Sequence, residues 1–136
     1  MSNLYQDQAL SPEQRAQALL EELSLPEKMA QVRGIFPFGP GWDDWEAISR
    51  QTKYGIGQVS TLQMRDMATK EECCAWQRKI QEIVMGNSPH HIPAAFHMEG
   101  LCGAFIQDSL SLPAGIARGA GWDPALEEQL GRAVSR

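Results

Sequence analysis

The spacing of apolar residues predicts helices in the first third of the chain. Residues 11–14, Ser-Pro-Glu-Gln, have the composition of a capping box with proline in the first turn, and apolar residues follow at helical spacing: Ala16, Leu19, Leu20 and Leu23. A second box at residues 24–27 predicts a short helix whose apolar face is formed by Leu25, Met29 and Val32. Gly34 is expected to end it. Residues 43–51 predict a third short helix that places Trp45 and Ile48 inward.

Two apolar runs on either side of a long amphipathic segment predict a parallel βαβ unit. The strands are expected at residues 54–60 and 92–98, and the second run is apolar enough for a strand that is covered on both faces. The helix between them should begin after Thr69 and carry a core stripe of Trp76, Ile80, Ile83 and Val84. A helical crossover of this length is typical of parallel sheets.

Glycine and proline mark the segments between these elements. Residues 34–41 are rich in both, so we expect a loop that Phe36 and Phe38 hold down. Gly55 and Gly57 would let another backbone or a ligand come close to the first strand. This G-x-G lacks the third glycine and the helix start of a dinucleotide site, so a nucleotide-binding domain is not favoured.

The last predicted helix leaves the predicted sheet open. Asp123 and Pro124 form an N-cap and first turn, and the apolar positions after them are Leu126, Leu130, Ala133 and Val134. Parallel sheets occur almost only with both faces covered, and two strands with helices on one side do not achieve this. We therefore predict an α/β fold that is an incomplete portion of a larger barrel.

Composition narrows the classes of partner. The net charge is -5, with twelve basic residues scattered among seventeen acidic ones, which argues against a nucleic-acid surface and suits a neutral substrate. No apolar run is long enough for a membrane span, and residues 1–14 are too polar for a secretory signal, so a cytoplasmic location without a membrane partner is expected. Three cysteines suggest free thiols. No metal site is predicted, because the spacing of the nearby candidates fits no closed pattern: His90, His91, His97 and Cys102.

Chemistry is expected in the loop that follows the second strand, because parallel α/β folds bind ligands at the carboxyl ends of strands. Only Glu99 and Asp108 lie there, and the other prominent acids are explained as helix caps or solvated helix faces. Asp108 and Ser109 predict a turn. In an extended strand His97 would project to the same side as Glu99, facing a ligand or, as a core histidine, bonding to backbone.

An ordered series of motifs is similar to the amino-terminal region of glycoside hydrolase family 3. The series comprises the lead at residues 5–14, the segment Leu25-Pro-Glu-Lys-Met-Ala-Gln31, the Gly-Ile-Gly strand at residues 55–60, the Ile-Pro strand with its acidic loop, and the Trp-Asp-Pro helix start at residues 122–124. Cys102 departs from the series, since the family often has histidine there. Arg118 stands where the family usually has an apolar residue, so it should reach solvent or pair with Asp123.

The resemblance implies a fold and an activity. Residues 1–136 would be the N-terminal portion of a TIM-type (β/α)8 barrel domain, with leading helices at about 11–51, a first βαβ unit at about 54–98, and a loop and helix at 99–136. The whole protein would be a retaining exo-acting β-glycosidase, of β-glucosidase or β-xylosidase type, that removes terminal β-linked sugars without a cofactor. The family's nucleophile and acid/base come from later sequence, so no catalytic residue is expected here and this portion alone should be inactive.

The same resemblance gives Glu99 the task of binding substrate. It resembles the acid that accepts hydrogen bonds from hydroxyls of the non-reducing sugar of a β-glucoside or β-xyloside, and a carboxylate suits this task. The alternative is a helix-capping or solvated Glu99. Trp42 is the better candidate for stacking on sugar, and Trp122 is expected to be a packing residue. A second hypothesis for the whole chain is a non-catalytic half-barrel module that forms a homo-oligomer through its open face.

Overall fold

Helices surround a small parallel sheet in the computed structural model, which describes residues 4–134. The helices are α1 (Pro12–Glu22), α2 (Leu25–Gln31), α3 (Trp45–Gln51), α4 (Lys70–Asn87), α5 (Gly115–Gly119) and α6 (Pro124–Val134). The strands are β1 (Gly34–Ile35), β2 (Gln58–Ser60) and β3 (Ala95–His97), and short 3-10 turns occupy Leu4–Gln6 and Leu62–Asp66. Residues 1–3 and 135–136 of the predicted domain lie outside the described part.

The helix starts agree with the capping residues in the sequence. The Ser11 hydroxyl accepts from the Gln14 amide at 3.3 Å, and Thr69 accepts from the Glu72 amide at 3.1 Å. Asp123 caps α6 in the same way, at 3.0 Å from the amide of Leu126. These bonds satisfy amide groups that the first turn of a helix leaves unpaired, which explains why the starts could be predicted.

The sheet has three parallel strands in the order β1-β2-β3, one more than expected. Gly34 does not end α2, which stops at Gln31, but begins β1 within the segment predicted as a loop. The prediction is wrong because two residues are too short to show a periodic pattern, and pairing with β2 defines the strand. The following crossover, β2-α4-β3, is the predicted βαβ unit.

One face of the sheet packs on the helices and forms the core. Ile35, Val59 and Phe96 are partners across the three strands, and this row meets the buried stripe of α4. The stripe was predicted, and its buried members are Trp76, Ile80 and Val84, with Ile83 partly buried. The inward placement of Ile48 on α3 is also confirmed.

The other face of the sheet is open along most of its length. Gly34, Gln58 and Ala95 form a row across the three strands and all three are exposed, as is His97. The expectation that residues 92–98 form a strand covered on both faces is not met within residues 4–134, because Ala95 and His97 are exposed on this side and only Ser60 at the end of β2 is buried. The side chains on the open face are small or polar, unlike those of the core face.

The exposed face of α2 is the reverse of the predicted one. Leu25, Met29 and Val32 are 72%, 54% and 80% exposed, whereas Glu27 and Ala30 are buried. The reason lies at the carboxyl end of the helix, where the Gly57 amide donates to the Ala30 carbonyl at 3.0 Å. This backbone contact, rather than the apolar pattern, decides which side of α2 meets the sheet.

The terminal helices bury less than their patterns suggest. No residue within α1 or α6 is buried, although Leu23 just after α1 is. Leu126 and Val134 on the predicted apolar face of α6 are 49% and 57% exposed. None of the helices within residues 4–134 combines the length and apolar content that crossing a bilayer requires.

Candidate functional site

Glu99 lies just beyond the carboxyl end of β3, the strand predicted to deliver it. Its side chain is exposed, and within residues 4–134 it makes no hydrogen bond or ion pair. It therefore does not cap a helix in the described part of the chain. Its neighbour Met98 is partly buried and packs against the hydrophobic core.

His97 is not the core histidine that was one of the two predicted alternatives. It is exposed on the open face of the sheet, and its imidazole has no hydrogen-bond partner among the described residues. Only its backbone is held, because the His97 carbonyl accepts from both the amide and the hydroxyl of Thr61, at 2.8 Å each. The open side and the free imidazole leave this ring able to donate to or accept from a ligand.

Thr61 and Gln63 were not predicted as site residues. Their side chains form hydrogen bonds that link the segments following the three strands. Thr61 binds the end of β3, and the Gln63 carboxamide oxygen accepts from the Gly39 amide in the loop after β1 at 3.1 Å. Both side chains are buried. The available signal was two polar residues immediately after a predicted strand, at the edge where parallel strands place their loops.

The loop after Glu99 folds back on itself and lies next to α6. The Leu112 amide donates to the Cys102 carbonyl at 2.8 Å, and Gly103 adopts a φ of 91°. A Cβ at Gly103 would lie 2.1 Å from the Leu110 carbonyl oxygen, so only glycine fits this crossing. Asp108 lies in a turn, as predicted, and has a φ of 61°.

Cys102 is half-buried in this loop, where the resembling family often has histidine. All three cysteines are free thiols, with Cys73 buried and Cys74 exposed. Burial raises the pKa of the Cys73 thiol, and the neighbouring Cys74 adds to this shift. Cys73 is thus a core residue rather than a nucleophile.

Trp42 and Trp122 lie in different settings. Trp42 packs in the helical layer, with its ring 6.4 Å from that of Trp76, whose indole N–H donates to the Trp42 carbonyl at 3.4 Å. Trp122, predicted to be a packing residue, is instead 90% exposed and has a φ of 51°. Arg118 pairs with Glu127 at 3.6 Å rather than with Asp123, because Asp123 serves as the cap of α6.

A second polar cluster connects the leading helices to the segment between α4 and β3. The two ring nitrogens of His90 lie 3.9 Å from carboxylate oxygens of Glu22 and Glu27, and Tyr5 packs edge-on against the ring. The Ser24 hydroxyl donates to Glu27 at 2.5 Å, and this bond lowers the pKa of the Glu27 carboxyl. The cluster anchors the leading helices.

The strand ends offer recognition chemistry rather than a complete catalytic set. Glu99 supplies free acceptor oxygens and His97 an imidazole, next to a row of small and polar side chains. Within residues 4–134, no group of three His, Cys, Asp or Glu side chains is placed to hold a metal ion. Compared with protein-family models and with curated proteins, the sequence gives no match to either.

Proposed function

We propose that this chain is the N-terminal part of a retaining exo-acting β-glycosidase of glycoside hydrolase family 3, and that Glu99 binds the terminal sugar of a β-glucoside or β-xyloside. The observation that carries the proposal is the exposed, unpartnered carboxylate just past the end of β3. A carboxylate in that position can accept hydrogen bonds from sugar hydroxyls, and these charge-assisted bonds are stronger than neutral ones.

The order of the strands supports a barrel. Each strand pairs in parallel with the next in chain order, β1 with β2 and β2 with β3, and helices occupy both crossovers. A singly wound barrel adds its strands in this order, whereas a doubly wound sheet reverses direction at a switch point. Later strands would continue the sheet beyond β3.

The open face of the sheet supports the same arrangement. Its small and polar row would become the interior of the closed barrel, where side chains from the remaining strands fill the space. The core row already packs on α3 and α4, as the outer helices of a barrel do. An all-parallel sheet with one bare face calls for such a cover.

The chemistry of a retaining mechanism explains why the reacting carboxyl groups and the sugar-binding Glu99 would be different residues. Retaining hydrolysis needs a carboxylate nucleophile and a carboxylic acid about 5–5.5 Å apart. In the proposed enzyme both come from later sequence, while Glu99 orients the sugar against them. Orientation of this kind lowers the barrier by fixing the reacting atoms before the chemical step.

The test is Glu99→Gln in the longer enzyme, assayed with an aryl β-glucoside and an aryl β-xyloside. Loss of charge-assisted bonds worth about 1.5–3 kcal/mol should lower kcat/KM by roughly 10- to 150-fold on the preferred substrate. Glu46→Gln is the matched control, because Glu46 is an exposed helix residue in a weak ion pair with Arg50. Unchanged kinetics in Glu99→Gln would remove Glu99 from the site.

A second candidate function is a non-catalytic module that self-associates through the bare sheet face. Two surfaces favour this function: the exposed apolar residues on α2, and the uncovered face of the sheet. Sedimentation of the purified 136-residue chain distinguishes the two ideas. A stable, monodisperse dimer favours the module, whereas aggregation favours the enzyme portion.

A further inference from the structure

A pocket of about 530 Å³ lies between α3 and α4. This volume is within the range of about 300–1,000 Å³ typical of small-molecule sites. Three of the chain's four tryptophans line it: Trp42, Trp45 and Trp76. Its walls are therefore mainly apolar and carry three aromatic side chains, and Glu99 is not among the lining residues.

Two of the three charged residues that line the pocket, Glu72 and Lys79, lie on α4, and Asp66 lies in the turn before it. Glu72, Trp76 and Lys79 follow one another on a single face of the helix, since they are four and three residues apart. At a rise of about 1.5 Å per residue, the carboxylate and the ammonium group start from backbone positions about 10 Å apart. Trp76 lies between them.

Several polar groups around the pocket are free to bind. Within the described residues, Lys79 has no ion pair, and neither the Trp42 nor the Trp45 indole N–H donates a hydrogen bond. One oxygen of Glu72 accepts from the Ala68 amide at 2.8 Å, and the other has no partner in that part of the chain. Aromatic walls with unused donors and acceptors at both ends suit a ligand that has apolar faces and a hydroxylated rim.

The mixture of charges disfavours a ligand that carries charge of a single sign. Lys79 would repel a cation, and the carboxylates of Asp66 and Glu72 would repel an anion. A neutral polyhydroxylated ring is compatible with both ends, because its hydroxyls donate to carboxylates and accept from an ammonium group. We propose that this pocket is an accessory site that binds a neutral oligosaccharide, with a sugar ring stacked on the partly exposed rings of Trp42 and Trp45. The proposal does not rest on the catalytic function proposed above.

The experiment is calorimetric titration of the purified protein with cellotetraose and xylotetraose. We expect saturable binding of at least one of them, weakened about tenfold or more in both Trp45→Ala and Lys79→Gln. Trp122→Ala is the matched control, since Trp122 is exposed and outside the pocket, and it should bind like the wild type.

Choline and succinate serve as charged probes in the same titration. Tighter binding of either probe than of the oligosaccharides would overturn the proposal, as would no saturable oligosaccharide binding or full affinity in Lys79→Gln. Circular dichroism checks that each variant folds. Lys79 is exposed and its replacement leaves the core intact, so this variant keeps the test decisive if Trp45→Ala fails to fold.

Discussion

Thr61 holds the carboxyl end of β3 through two bonds to one atom, since its amide and its hydroxyl both donate to the His97 carbonyl oxygen at 2.8 Å. Thr61 directly follows β2, so the two bonds fix the relative position of the two strand ends. The backbone that leads to Glu99 starts from this point. The strand end is therefore set by a residue that itself carries no proposed binding role.

Replacing Thr61 by valine should loosen this strand end without changing the shape of the side chain. Loss of one buried hydrogen bond should lower the free energy of unfolding by about 1–2 kcal/mol, measured by urea denaturation. Thr61→Ser keeps the hydroxyl and should retain most of the stability. Equal losses in the two variants would show that the hydroxyl bond contributes little.

Gly57→Ala should be far more damaging than another glycine replacement. A Cβ at Gly57 would lie 1.9 Å from the Gln31 carbonyl oxygen, so α2 would have to move away from the sheet, at a cost of about 3 kcal/mol. Gly86→Ala is the control, because nothing lies within 4 Å of its added Cβ and alanine favours the helix by about 0.5–1 kcal/mol. Thermal unfolding measures both, and a tolerated Gly57→Ala would refute the close contact.

The Glu27 carboxyl should contribute a pH-dependent part of the stability. The hydrogen bond from the Ser24 hydroxyl lowers its folded pKa below the ordinary value of 4.5. A group whose pKa is lower in the folded state stabilises the fold above its unfolded pKa, and this contribution is lost as pH falls through the folded pKa. Urea unfolding of wild type and Glu27→Gln, followed from neutral to acid pH, should show a shallower loss in the variant. Parallel curves would exclude this role.

The three cysteines should differ in their rate of modification. Cys74 is exposed and should react first with a maleimide, whereas Cys73 is buried, with its pKa raised by burial. Cys102 is half-buried and should react at an intermediate rate. Mass spectrometry of peptides after timed labelling gives the order, and early labelling of Cys73 in the native protein would contradict its core position.

The parts of the fold that were predicted correctly depend on local signals. The start of α4 follows from Thr69, and its buried stripe follows from helical spacing, because both are set by neighbouring residues along the chain. β1 could not be predicted, since two residues have no period and only pairing with β2 makes them a strand. The buried face of α2 was predicted wrongly because the backbone contact with Gly57 overrides its apolar pattern.

The candidate site, too, could be predicted from the sequence only in part. The position of Glu99 after β3 could be predicted, because it requires only the order of a strand and a loop. The bonds from Thr61 to His97 and from Gln63 to Gly39 join residues far apart in sequence, so they depend on the folded register. The exposure of Trp122 depends equally on how α5 and α6 meet the rest of the chain.

The order of the three strands has a consequence for how the protein is made. Each strand pairs with the one made just before it, so β1 and β2 can associate before β3 has left the ribosome. The sheet can therefore grow in the direction of synthesis, with each new crossover helix covering the pair already formed. At each stage of synthesis only one new strand edge is added. This limits the opportunity for strands to pair in the wrong order.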